Sequence, residues 1–201
     1  MSFRFEEKLN IDKHKLSIFL DWVSLNGGEE LYPPRVVSSI YFDNLSFDMY
    51  LQSEEGLVPR KKIRLRAYTS DDHTAWDSTF ETKITSIEGR FKTALRCRNV
   101  AKILRLGMLD PEYGVLLPVA RVEYLRSYYI VHGVRVTVDK NITYRRFGTK
   151  ESRHACVHDS AIIVEIKAPI SSSIDFLFDS FPFERVRFSK YCRAVAALYN
   201  I

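Results

Sequence analysis

The 201-residue chain has no run approaching the roughly 18 consecutive apolar residues of a helical membrane span, so membrane insertion by a helix is not expected. Its opening stretch, "MSFRFEEK", brings charge at once instead of the apolar run of a secretory signal. The three cysteines, Cys97, Cys156 and Cys192, are odd in number and far apart. With no C-x-x-C spacing they argue against a disulfide framework or a thiolate zinc site. The histidines at 14, 73, 132, 154 and 158 form no ligand spacing either. His154 and His158 stand four apart, but "KESRHACVHDS" reads as a loop. No internal repeat, low-complexity tract or Pro/Gly/Ser linker divides the chain, so one domain over residues 1–201 is expected. There is no helix-turn-helix, zinc finger or aromatic RNA-binding motif, so nucleic acid is not the expected partner. A reduced, cytoplasmic setting is the simplest reading.

Positive charge is abundant, and it is concentrated. Hydrophobic content of 46% and charged content of 27% fit a globular protein. The net charge is +5 and the pI is near 9.1. Residues 60–105 carry twelve Lys or Arg against five Asp or Glu, so this segment exceeds the whole chain's excess and the remainder is slightly acidic. That distribution points to a phosphate-rich partner. The densest stretch is "RKKIRLRAY" at 60–68, where Ile63, Leu65 and Ala67 alternate with Lys62, Arg64 and Arg66. This is the period of a strand with two unlike faces.

The same alternation recurs along the chain. Strands are predicted at "SFRFEEKLN", "RVVSSIYFD", "DSTFETKI", "GRFKTALR" and "AIIVEIKAP", with an antiparallel pair at "VARVEYLRSYYIV" and "VRVTVDKNITYRR" turning at His132-Gly133. "DKHKLSIFLDWVSLNGG" is a helix capped by Asp12, with Leu16, Phe19, Leu20 and Val23 as its stripe and Asn26-Gly27-Gly28 as its end. Further helices are predicted at "NLSFDMYLQSEEG", "RNVAKILRLG", "SIDFLFDSF" and "SKYCRAVAALYNI". Trp22 and the Phe176, Phe178, Phe181 and Phe183 cluster read as core. About eight locally antiparallel strands with inserted helices point to an α+β fold built on a barrel, whose closure removes exposed strand edges.

Two arrangements of such a barrel stay open on pattern alone. Arg4/Glu6/Lys8, Lys62/Arg64/Arg66, Glu81/Lys83, Arg90/Lys92, Arg135/Thr137/Asp139 and Glu165/Lys167 each share one strand face. Either these faces are solvated around an apolar interior, or helices cover the apolar faces and the charges line a polar interior. The second arrangement needs an anion among the cations, because unpaired buried charge is costly.

In the order "FRFEEK", "PPRVVSSIYFDN", "PRKKIRLRAY", "FETKI", "RFKT", "RVEYLRSYY", "VRVTVDKNI", "VEIKAP" and "RFSKYCRA", the chain resembles the VTC domain. This is the polyphosphate-polymerising domain of the vacuolar transporter chaperone complex, within the triphosphate tunnel metalloenzymes. The resemblance spans residues 3 to about 194. It implies an eight-stranded antiparallel β-barrel forming a polar tunnel, with helices packed outside. Where the chain departs from the eukaryotic complex, with no inositol-phosphate-sensing helical domain and no membrane segment, a stand-alone, bacterial-type form is expected. By the same resemblance, Arg64, Arg66, Lys8, Arg126 and Arg135 are catalytic, and Lys83, Lys92, Ser189, Lys190 and Lys62 bind phosphate. Glu165 with Glu6 holds Mn²⁺ or Mg²⁺, and the partners are ATP and polyphosphate or triphosphate. The implied activity is a metal-dependent polyphosphate polymerase, with a triphosphatase or a non-catalytic polyphosphate-binding module as alternatives. Strict alternation sets Arg126 opposite Arg121 and Glu123, so its placement demands a bulge or a different inward set. Glu81, Glu123, Asp139 and Lys167 share charged faces and read as pair partners.

Overall fold

The computed structural model describes residues 4–69, 78–148, 156–169 and 185–201. In chain order these form β1 (Arg4–Ile11), α1 (Lys13–Leu25), β2 (Glu29–Asp43), α2 (Asp48–Glu55), β3 (Arg60–Thr69), β4 (Thr79–Ser86) and β5 (Gly89–Arg96). They continue as α3 (Val100–Leu106), β6 (Met108–Asp110), β7 (Gly114–Val131), β8 (Val134–Arg146), β9 (Val157–Asp159), β10 (Ile162–Pro169) and α4 (Lys190–Tyr199). The fold is α+β, and its main strand path is β1-β10-β8-β7-β2-β3-β4-β5, with β6 on β7 and β9 on β8. The predicted helix at "SIDFLFDSF" and the Phe176–Phe183 cluster lie outside the described residues, as does His154. His158 falls within β9, a strand where a loop was expected.

Chain contacts divide the protein into two compact units, each assembled from three segments. Unit 1 holds residues 1–36, 124–142 and 159–188; unit 2 holds 37–123, 143–158 and 189–201.

Unit 1 shows why its strands alternate. Leu9 and Ile11 of β1, Ile162, Val164 and Ile166 of β10, and Val134, Val136 and Val138 of β8 make one apolar face. Phe19 and Val23 of α1 close over it, joined by Leu16 and Trp22. Asp12 caps α1 by accepting the Lys15 N–H at 2.7 Å. The observed stripe replaces Leu20, which is exposed, with Trp22, stacked on Phe19 at 6.4 Å. Gly28 lets the chain leave the helix, since a Cβ there would meet a Val23 methyl at 2.4 Å. Phe19 has no exposed surface, and truncating it to Ala should cost roughly 3–5 kcal/mol. His132 and Gly133 turn β7 into β8 with φ of 47° and 76°, the paired positive values of a tight hairpin turn.

In unit 2 the alternation of β3 sorts itself the same way. Ile63, Leu65 and Ala67 are buried, and Leu65 and Ala67 line an apolar cavity of about 350 Å³ with Ile40 and with Val100 and Leu104 of α3. Arg121 lines that cavity too, on the apolar side. The β3–β4–β5 register is antiparallel throughout, with Ile87 and Glu88 turning β4 into β5. Gly56 ends α2 in the left-handed region at φ 79°. In both units, then, helices lie on the apolar faces and the charged faces point elsewhere.

Candidate functional site

In unit 1, the charged face of β1, β10 and β8 is set by register. Glu6 pairs with Lys167 and Lys8 with Glu165, while Glu165 and Lys167 pair across to Thr137 and Arg135. Asp139, fully buried, lies on this face opposite Ile163. Arg126 grips Asp139 with both ends of its fork, Nε to Oδ1 at 2.5 Å and Nη2 to Oδ2 at 2.7 Å, and donates to Glu165 Oε2 at 3.2 Å. Lys167 reaches the other Glu165 oxygen at 2.8 Å. Burial alone would raise the Glu165 pKa, but a hydrogen bond from Glu6 and the charges of Lys167, Arg126 and Lys8 hold it well below the usual carboxylate range. Lys8 Nζ donates to the Phe188 carbonyl at 2.8 Å.

Arg126 needs no bulge to get there. Alternation along β7 puts it on the face of Tyr124, whose ring its guanidinium overlies at 5.3 Å, so the even positions form the inward set. Arg135 keeps its register place beside Lys167, with an exposed side chain.

The charged face of unit 2 is richer in cations. Glu81 of β4 stands opposite Arg64 of β3 and accepts from its Nε at 2.6 Å and Nη2 at 2.5 Å. Lys92 of β5 reaches the other Glu81 oxygen at 2.6 Å, and Arg66 Nη1 lies 3.7 Å away. One buried carboxylate thus serves three cations. Burial works against its charge, yet Arg64, Arg66 and Lys92 together push its pKa down to about 2. Lys62, Lys83 and Lys92 sit side by side as one cross-strand row. Lys62 Nζ also donates to Ser189 Oγ at 3.0 Å, and Ser189 caps α4 by accepting the Cys192 N–H at 3.3 Å. Lys190 follows at the first position of α4.

The predicted residues thus gather in two groups. Glu6, Lys8, Arg126 and Glu165 meet in unit 1, with Arg135 exposed on the same strand face. Lys62, Arg64, Arg66, Lys83, Lys92, Ser189 and Lys190 share one neighbourhood in unit 2.

Sequence reading passed over Ser39 and Tyr41 of β2, which accept from Arg66 Nε at 3.4 Å and Arg64 Nη1 at 3.1 Å. It also passed over Tyr191, stacked on Tyr41 at 5.1 Å. The seven residues of β2 from Val37 to Asp43 are all buried, which hides their alternation behind a continuous run. The available signal was the polar set Ser39, Tyr41, Asp43 at spacing two.

Comparison with known proteins gives this geometry a family. The profile of the VTC domain matches residues 4–199. The chain belongs to the VTC domain family. Two solved structures share the fold of this VTC domain. One is a candidate adenylate cyclase from Vibrio parahaemolyticus, at 15% identity and TM-score 0.57, covering 97% of this chain and 98% of the other. The second is a candidate adenylyl cyclase from Hippeastrum with a dominant triphosphatase activity, at 12% identity and TM-score 0.59, covering 98% and 97%. A sequence search of curated proteins found no match. No helix among the described residues of the VTC domain is long and apolar enough to cross a membrane.

Proposed function

We propose that this VTC domain is a phosphotransferase that moves the γ-phosphate of ATP onto a growing polyphosphate chain. The observation that carries the reading is the unit 2 face, where Lys62, Arg64, Arg66, Lys83 and Lys92 share strand faces with one buried acid, Glu81. A guest that supplies several negative charges completes such a face, and linked phosphates do so. Phosphoryl transfer spreads charge over non-bridging oxygens, so catalysis is chiefly positioning and electrostatic stabilisation. Arg64 and Arg66 offer planar forks to those oxygens, while Lys62, Lys83, Lys92 and Lys190 act as point charges. The Ser189 hydroxyl, at the start of α4, adds a further donor. In unit 1, Lys8 and Arg126 are the phosphate-facing cations, and Arg135 flanks them.

A divalent cation belongs to this reading. Glu6 and Glu165 are in hydrogen-bond contact, and both offer only oxygen donors. Among the described residues no three His, Cys, Asp or Glu side chains come together as a cage. Two carboxylates with the remaining positions left to phosphates and water is the way Mg²⁺ or Mn²⁺ is commonly held, so the residues fit. When bound, the ion neutralises charge on the phosphate oxygens.

Hydrolysis of the same substrate by water is the second reading, favoured by the triphosphatase activity of the Hippeastrum protein of the same fold. Incubation with ATP and Mn²⁺, followed by separation of products by chain length, tests both. Long polyphosphate with ADP is expected; orthophosphate alone means hydrolysis, and tight binding without turnover overturns both enzymatic readings in favour of a binding module.

A further inference from the structure

Between the arginines of β3 and the start of α4 stands a tyrosine with no role so far. Tyr41 is 6% exposed and lies on the Ser39, Tyr41, Asp43 face of β2. Its hydroxyl oxygen accepts from Arg64 Nη1 at 3.1 Å, and the Arg64 guanidinium carbon is 5.9 Å from its ring centre. The ring is fixed from the other side by Tyr191, at 5.1 Å and 27°, and Tyr191 in turn donates its hydroxyl hydrogen to Asp43. A phenol that accepts from a guanidinium keeps its own hydrogen to give away. The acid nearest to Arg64 is Glu81, which already takes Arg64, Arg66 and Lys92. An anion brought in by the substrate is the acceptor that suits this hydrogen.

We infer that Tyr41 is a phosphate-contacting residue, its hydroxyl donating to an oxygen of the phosphate that Arg64 grips. The inference rests on the triphosphate reading above and adds a neutral donor to a site otherwise read as cationic. It also gives the site a proton-dependent element. Burial raises the Tyr41 pKa, but Arg64, Arg66 and Lys190 together bring it below its ordinary 10.0. The charged and titratable groups around it are Arg64 and Arg66 of β3, Lys190 and Tyr191 of α4, Asp43 through Tyr191 and Glu81 through Arg64. Burial and Asp43 push Tyr191 upward, so it stays neutral, and Glu81 stays anionic down to about 2. Tyr41 alone of its tyrosine pair therefore ionises early. As the pH rises through its lowered pKa, the donor is lost and a negative charge appears beside the phosphate, so binding weakens.

The test is calorimetric titration of the full chain with inorganic tripolyphosphate, from about pH 6.5 to about 9.5, for wild type and Tyr41→Phe. Tyr41→Phe keeps the ring stack and removes one hydroxyl. It should bind about 5–10-fold more weakly at pH 7, the usual worth of one hydrogen bond, and should lose part of the alkaline decline. Site-specific 3-fluorotyrosine at position 41, which keeps the hydroxyl and lowers its pKa, should shift that decline to lower pH. Equal affinity and the same pH profile in wild type and Tyr41→Phe overturn the inference while leaving the triphosphate reading standing. If the wild type binds no tripolyphosphate, the triphosphate reading fails first and this inference with it.

Discussion

The two charged faces use the same device with opposite balance. In unit 1, the acids Glu6, Asp139 and Glu165 face the cations Lys8, Arg126 and Lys167, and the principal arginine is clamped bidentately by a carboxylate with no exposed surface. In unit 2, the one carboxylate of Glu81 divides itself among Arg64, Arg66 and Lys92, with Lys62 and Lys83 beside them on the same strands. A near-neutral, acid-bearing face suits a divalent cation and the single phosphate group it accompanies. A cation-rich face suits linked phosphates. The lesson is that an arginine on such a face is not a loose charge: its own carboxylate fixes its fork, which would lower the ordering cost of binding an anion there.

The largest effect expected from breaking this comparison is on the cation-rich side. Arg64→Ala removes the fork that Glu81 and Tyr41 hold, and should lower turnover by about 10³-fold in an assay of ATP-dependent product formation. An unchanged rate would remove the cation-rich face from the chemistry. On the balanced side, Asp139→Asn leaves Arg126 buried beside an uncharged partner. It should destabilise the protein by roughly 3–5 kcal/mol, seen as a melting temperature lower by about 10 °C. Replacing both partners, as in Arg126→Met with Asp139→Leu, should recover most of that stability and none of the activity, which separates Arg126's chemistry from its packing.

The shared carboxylate of Glu81 makes a prediction in pH. Its folded pKa, about 2, lies below the ordinary 4.5, so its contribution is fully present above pH 4.5 and fades as pH falls toward 2. Denaturant melts across that window should show a loss of about 3 kcal/mol in wild type that Glu81→Gln lacks. Lys92 is 46% exposed, so Lys92→Ala should raise the KM for triphosphate only about 3-fold, with a shallower salt dependence. The smallest effect among the predicted arginines belongs to Arg135, whose exposed side chain stands outside the Arg126 clamp. Arg135→Ala should change turnover by about 2-fold in the same assay.

The sequence carried much of this because alternation is a strong signal when one face is charged. Lys62, Arg64 and Arg66 against Ile63, Leu65 and Ala67 fixed both the strand and its faces, and the hairpin at His132-Gly133 needed only its turn residues. What alternation left open was which face turns inward, since period two is the same in either case. The VTC resemblance pointed one way, and α1 packed on Leu9, Val136 and Val164 gives the physical reason for it in unit 1. The helix stripe was misread at Leu20, because a helical period marks an arc of the surface and Trp22 reaches the core from its margin. Tyr41 was harder to read for a different reason: β2 is buried on both faces there, so a continuous buried run masks the spacing-two set Ser39, Tyr41 and Asp43. Exposure decides the Arg135 side chain, and nothing in "VRVTVD" distinguishes it from Thr137 and Asp139, which are buried.

The lysine row across β3, β4 and β5 has a practical consequence. Like charges set directly opposite on neighbouring strands repel, and the Lys92–Glu81 pair offsets part of that repulsion, so a bound polyanion should relieve more of it. Sulfate or phosphate in a buffer should act as a thermal protectant through that row, and preparations made without such salts should melt earlier and retain cellular anions as passengers.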